Sequence, residues 1–233
     1  MGLLVLAVVG IASRADAGII TVPPGLAPGS QYRLAFVTYD GFTAVSSIIS
    51  DYNTEVSTEA NAVAALAALS TTWFDIGSTE SVNAITNIGI APGVPIYGML
   101  GNLIAYDAGQ QAGGLFSGGL LYPLDVDQLG GSHDTAVVWT GTATFGTTYA
   151  NHALGDTFPR CGAPVYTNQW WVGAGNNCGS NYGLTLNPLY GISGVLTVPD
   201  SSVPEPATTG MVLAGGALMF RARRRIHRSR RPL

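Results

Sequence analysis

No lysine occurs anywhere in the 233 residues, and only 10% of them carry a charge. Arginine does not make up the deficit: seven of the ten lie between Arg221 and Arg231, and another is Arg14. From Gly18 to Val203 only Arg33 and Arg160 face twelve Asp and Glu, a net charge of −10. A surface of that sign repels phosphate backbones, which argues against nucleic acid as a partner of this stretch. The chain also lacks an internal repeat, and its apolar residues are dispersed among Gly, Thr, Ser and Asn. Thirty-one glycines in such a mixture suit a β-rich, loop-rich exported body better than a helical bundle.

Several chemistries are missing too. No Gly-x-Ser-x-Gly elbow supplies a nucleophile for His133-Asp134. His133 and His152 lie far apart without a third zinc ligand at a recognisable spacing. Gly113-Gly114 and Gly118-Gly119 lack the Lys-Ser/Thr of a phosphate loop. No catalytic residue is assigned, and the expectation is a protein that is not an enzyme.

What is present begins at the two ends. Leu3 to Ala12 is a ten-residue apolar run, and Ala15-Asp16-Ala17 puts small residues where signal peptidase needs them, which predicts cleavage after Ala17. No Lys or Arg precedes the run, so either the true start lies upstream or the leader is weak; a buried N-terminal element is the alternative. The other end reads Pro204-Glu205-Pro206, a largely apolar stretch from Ala207 to Phe220, then the arginine cluster. As a helix that stretch spans about 21 Å, short of a ~30 Å hydrocarbon core, but long arginine stems can snorkel. The cluster would stay cytoplasmic and leave the body outside. The prolines keep the segment before the span extended and open to a protease.

This tripartite end closely resembles the PEP-CTERM sorting signal of Gram-negative bacteria. The resemblance implies recognition by an exosortase, cleavage near Pro204-Glu205-Pro206, and loss of the span and tail. A permanent tail anchor is the alternative. The expected route is export through the inner membrane as a transient single-pass precursor, with exosortase and signal peptidase as partners. The mature form would sit at the cell surface or be secreted. On this reading residues 1–17 are a signal peptide, 18–199 an exported domain, and 200–233 a linker with the sorting signal.

About 180 residues lie between the ends, enough for one ordinary core. Tyr32–Tyr39 reads as a strand. Ile48, Ile49, Tyr52, Val56, Ala60 and Val63 recur at helical spacing opposite Asp51, Glu55 and Glu59, with Ser46 or Ser47 as cap; alanines to Leu69 extend this helix or begin another. Short strands are predicted at Trp73–Ile76, Val94–Tyr97, Leu120–Leu124 and Ala136–Thr140. A last one, Tyr190–Val198, should pair with the first.

The order of Trp73, Gly77-Ser78-Thr79, Val94-Pro95-Ile96-Tyr97, Gly118 before Pro123, Trp139-Thr140-Gly141-Thr142, Cys161, Trp170, Cys178 and Leu189-Tyr190-Gly191 carries a second resemblance. It is similar to a bacterial exported domain of unknown function with a fold like C-type lectins and endostatin. That implies an α+β, loop-rich domain with one main N-terminal helix and paired terminal strands. The cysteine usual in the last strand is absent, and Gly191 stands in its place.

Four groups are candidates for a site. Cys161 and Cys178, an even pair in an exported chain, are expected to form a disulfide; a reactive thiol would have only His152 nearby. Asp125 and Asp127 alternate on a strand, with Asp134 downstream, and could share a Ca2+ ion. The rival outcome is solvated carboxylates, and Leu129 and Ala136 occupy the fifth and twelfth positions, excluding an EF-hand. Trp170 and Trp171 beside Asn176 and Asn177 suit a sugar-stacking platform, with one tryptophan more naturally in the core. The function expected is structural or glycan-binding, extracellular polysaccharide being the possible ligand. The alternative is a secreted hydrolase using Asp125 and Asp127 as facing carboxylates.

Overall fold

Gln31–Val37 (β1) is rich in aromatic and branched residues, and six of its seven residues are buried. Burial on both sides means the strand is covered on both faces. Tyr32, Leu34 and Phe36 join one apolar cluster and Ala35 and Val37 another, as strand alternation requires. The protein was analysed as a computed structural model that describes residues 18–134, 136–175, 178 and 183–200. The chain divides into two units, Met1–Val198 and Pro199–Leu233; the elements below belong to the first.

After β1 come α1 (Ile49–Asn61), α2 (Ala64–Ala67), β2 (Trp73–Asp75), α3 (Ala84–Ile88), β3 (Ile96–Gly98) and β4 (Leu103–Ala105). Then follow β5 (Val138–Trp139), β6 (Cys161–Gly162), α4 (Trp170–Gly173), β7 (Tyr190–Ser193) and β8 (Leu196–Thr197). The main sheet runs β2-β7-β1-β3-β4, with β3 parallel to β1 and β7 antiparallel to it. β8 pairs the start of β1, Tyr32 opposite Leu196, so the terminal strands of the body are joined. The stretch predicted as one strand from Tyr190 to Val198 is thus two, broken at Gly194-Val195. There Ser193 turns its hydroxyl to the Leu34 N–H at 2.9 Å.

α1 buries Tyr52, Val56 and Ala60. Ile48 is 57% exposed at its N-cap position, outside the apolar stripe the periodicity assigned it to. No side chain at the N-cap closes the helix. Ser46 instead accepts the Ile48 N–H at 3.1 Å and donates to Asp51 Oδ2 at 2.6 Å, two residues before the cap. The alanine-rich tail forms the separate α2, because Val63 between the helices is extended.

The outer edge of β2 is closed by side chains. Trp73 and Asp75 turn their backbone groups away from β7. Ser57 donates to Trp73 O, Asn53 Oδ1 accepts the Asp75 N–H at 2.8 Å, and Asn87 Nδ2 donates to Asp75 O at 2.7 Å. At the opposite edge, the Leu121 N–H donates to Ile104 O at 2.9 Å.

Arg33 is an exception to the apolar core. It is 2% exposed and donates to three main-chain oxygens, of Ser193 (2.6 Å), Ile88 (2.9 Å) and Gly89 (3.1 Å). Burial brings its pKa down to about 10, which leaves it charged at neutral pH. It supplies the positive group that the last carbonyls of α3 attract.

Leu120–Leu124 is not a strand. The chain there makes one isolated bridge, Gly119 opposite Asn168, and is followed by turns. Predicted as strand for its apolar content, it is held by single bonds, from Leu120 to Thr167 and from Leu121 to Ile104, instead of by a ladder. No helix among the described residues is long and apolar enough to cross a membrane. The span read at 207–220 lies outside the described residues.

Candidate functional site

Trp170 and Trp171 open α4 and fall on different faces, since neighbours on a helix are about 100° apart. Trp171 is fully buried, 6.1 Å from the Phe116 ring and 5.4 Å from that of Tyr190, whose hydroxyl donates to Trp171 O at 2.8 Å. It is a core residue and leaves the platform the sequence assigned to both tryptophans. Trp170 is 47% exposed and meets the exposed Tyr166 edge-to-face at 5.4 Å, with ring planes at 88°. The loop between them is fixed by Asn168, whose Oδ1 accepts the Trp170 N–H at 2.9 Å. Gly119 bridges Asn168 and the Leu120 N–H donates to Thr167 O, which ties this loop to the neighbouring chain. An exposed aromatic shelf, Tyr166 and Trp170, results. Tyr166 escaped the sequence reading because only the local turn of the chain brings its ring to Trp170. Asn176 and Asn177 lie outside the described residues.

Asp125 and Asp127 fall in a tight hairpin, where Val126 bridges Ser132. Asp127 is 2% exposed, and its carboxylate closes the turn. Oδ1 accepts the Leu129 and Gly131 N–H groups, each at 2.8 Å, and Oδ2 lies 3.1 Å from His133 Nε2. His133 therefore pairs across the hairpin with Asp127 and not with its sequence neighbour Asp134. Asp125 is half-buried, and burial raises its pKa, with the nearby Asp134 charge adding to the effect. The two carboxylates thus serve different neighbours, and no group of three or more His, Cys, Asp or Glu among the described residues is placed to hold a metal ion.

Beside this hairpin is a cleft lined by Tyr39, Asp40, Glu59, Gln128 and Leu129. Gln128 Oε1 accepts the Tyr39 N–H at 2.9 Å, and its Nε2 makes a short bond to Glu59. Burial pushes the Glu59 carboxyl above its ordinary value; the Asp40 charge also raises it, against hydrogen bonds from Asp40 N–H and Gln128.

The Trp139-Thr140-Gly141-Thr142 segment is a junction of the fold. Trp139 is buried, and its Nε1 donates to Phe42 O (3.1 Å) and Thr185 O (3.2 Å). Thr140 Oγ1 donates to Val172 O at 2.7 Å, Thr142 Oγ1 to Thr140 O at 2.7 Å, and Ser78 Oγ lies 2.9 Å from Thr142 Oγ1. Gly141 has φ +60°, and a side chain there would strike the main chain of Ala153.

Cys161 and Cys178 are bonded, with Cα atoms 6.0 Å apart. Gly191 also has a physical explanation: a Cβ there would meet Phe36 at 2.6 Å and Val56 at 2.8 Å, so those side chains fill the space a cysteine would need.

These features define an α+β body, loop-rich and disulfide-bonded, with exposed aromatic residues on its loops. Residues 202–226 match the PEP-CTERM protein-sorting motif. The motif indicates an exported protein processed by an exosortase, with a precursor anchored in a membrane by its C-terminus. Pro204, Glu205 and Pro206 fall within the match, but like Ala15 and Ala17 they lie outside the described residues. No curated protein matches the chain.

Proposed function

We propose that the mature protein is a non-catalytic glycan-binding component of the cell surface or extracellular matrix. The observation that carries this reading is the exposed Tyr166–Trp170 pair. An aromatic face left in water matches the C–H face of a sugar ring, and the indole and phenol retain polar tips for its hydroxyls. Export brings such a surface to where polysaccharide is. Against the hydrolase alternative stands the use of Asp127: a carboxylate that already accepts two main-chain N–H groups and faces His133 is committed to its turn.

A glycan array probed with the secreted, processed protein tests the reading, with and without Ca2+. The expected result is retention on polysaccharide that Trp170→Ala weakens. Hydrolysis of a bound glycan, abolished by Asp125→Asn, would replace this reading with the hydrolase.

A further inference from the structure

The body has very few groups with which to hold an anion. Its two arginines are both used inside the molecule. Arg33 is buried on three main-chain oxygens. Arg160 donates to Gly173 O at 2.8 Å and lies 4.0 Å over the Tyr149 ring. His133 faces Asp127, and His152 Nδ1 lies 2.7 Å from Phe158 O. Lysine is absent, while twelve acids lie between Gly18 and Val203. An acidic polymer approaching this body meets repulsion and finds no side-chain cation outside these internal contacts. The shelf is also uncharged: Tyr166 and Trp170 form it, and the residues between them in the chain, Thr167, Asn168 and Gln169, carry no charge.

We infer that the ligand at the Tyr166–Trp170 shelf is an uncharged polysaccharide built from pyranoses with equatorial substituents. This rests on the glycan-binding reading above and narrows its ligand class. Equatorial substitution leaves only axial C–H bonds on the ring faces, a surface an aromatic ring can cover. Carboxylated, sulfated or phosphorylated polymers carry a charge that nothing on the shelf offsets. Contact through C–H and π surfaces also has little electrostatic content, so affinity should hardly change with salt.

The test is affinity electrophoresis of the secreted, processed protein in gels containing hydroxyethylcellulose, alginate or chitosan, at low and high salt. The expected result is retardation by hydroxyethylcellulose that salt hardly changes and none by alginate, with any retardation by chitosan lost at high salt. Trp170→Ala and Tyr166→Ala should each bind about tenfold more weakly, a loss of roughly 1.4 kcal/mol, with unchanged melting temperature. Retardation by alginate would overturn the ligand class while leaving glycan binding standing, as would retardation by chitosan alone. Binding to hydroxyethylcellulose that neither substitution alters would overturn the site. Retardation by none of the three, together with an empty glycan array, would defeat the underlying reading itself.

Discussion

The sheet around β1 and the long chain between Tyr106 and Pro188 solve one problem in two ways. Both must satisfy buried main-chain groups. The sheet does so by ladders, in which each bond is one of many. The loops do so through scattered turn and cross-loop bonds, reinforced by single side chains that each hold two main-chain groups: Asp127 closes a turn with two bonds, and Trp139 ties Phe42 to Thr185. A ladder tolerates local loss, whereas an anchor does not. Stability of the loop half should therefore concentrate in a few residues.

Trp139→Ala tests that concentration most severely. It removes a buried indole and leaves two carbonyls without their donor, and should cost about 3–5 kcal/mol in urea unfolding. A loss as small as that of an exposed substitution would break the comparison, since the loops would then be held by something other than their anchors.

Removing the disulfide comes next. Cys161 and Cys178 are 17 residues apart, and opening a loop of that size should cost about 3 kcal/mol. Hydrogen exchange would locate the effect. Amides of 161–175 should lose protection under reductant while β1, β3 and β7 keep theirs; uniform loss would show that the two regions unfold as one.

Asp75, in β2 of the sheet, has an effect that follows pH. It is fully buried, neither carboxylate oxygen has a hydrogen-bond partner among the described residues, and burial raises its pKa well above the ordinary value. Unfolded, it would titrate near ~3.9. Above that pH the folded state keeps a proton the unfolded chain has released, so Asp75 favours folding most below about pH 4. That advantage falls as pH rises, until the folded value is passed. Relative to Asp75→Asn, the wild type should lose up to about 1.4 kcal/mol per pH unit in this window. Parallel pH profiles of the two proteins would show that Asp75 is ionised in the fold.

The smallest effect on stability belongs to Trp170→Ala, expected within about 0.5 kcal/mol in thermal melts because the side chain is exposed. A larger loss would make Trp170 a third anchor of the loops instead of part of a binding surface.

The same division explains what was legible in the sequence. α1 announces itself because periodic burial leaves a periodic pattern, as in Tyr52, Val56 and Ala60, and β1 and the closing strands do so as short runs rich in aromatic and branched residues. The sorting motif is legible for a different reason, its order being linear. The loop half is not, because its bonds are aperiodic. Nothing in the spacing of His133 distinguishes Asp127 from Asp134, and Leu120–Leu124 has a strand's composition without a strand's neighbours. β4 and α3 were also missed, being too short to show a period. For the shelf, only Trp170 could be named in advance.

The closed edge of β2 bears on how the protein behaves in a crowd. Molecules concentrated at a surface or in a matrix meet edge to edge, and an open strand there would recruit the next copy, and that one another. Asn53, Ser57 and Asn87 occupy the positions an incoming strand would take. At this edge, a neighbouring copy finds no strand to extend.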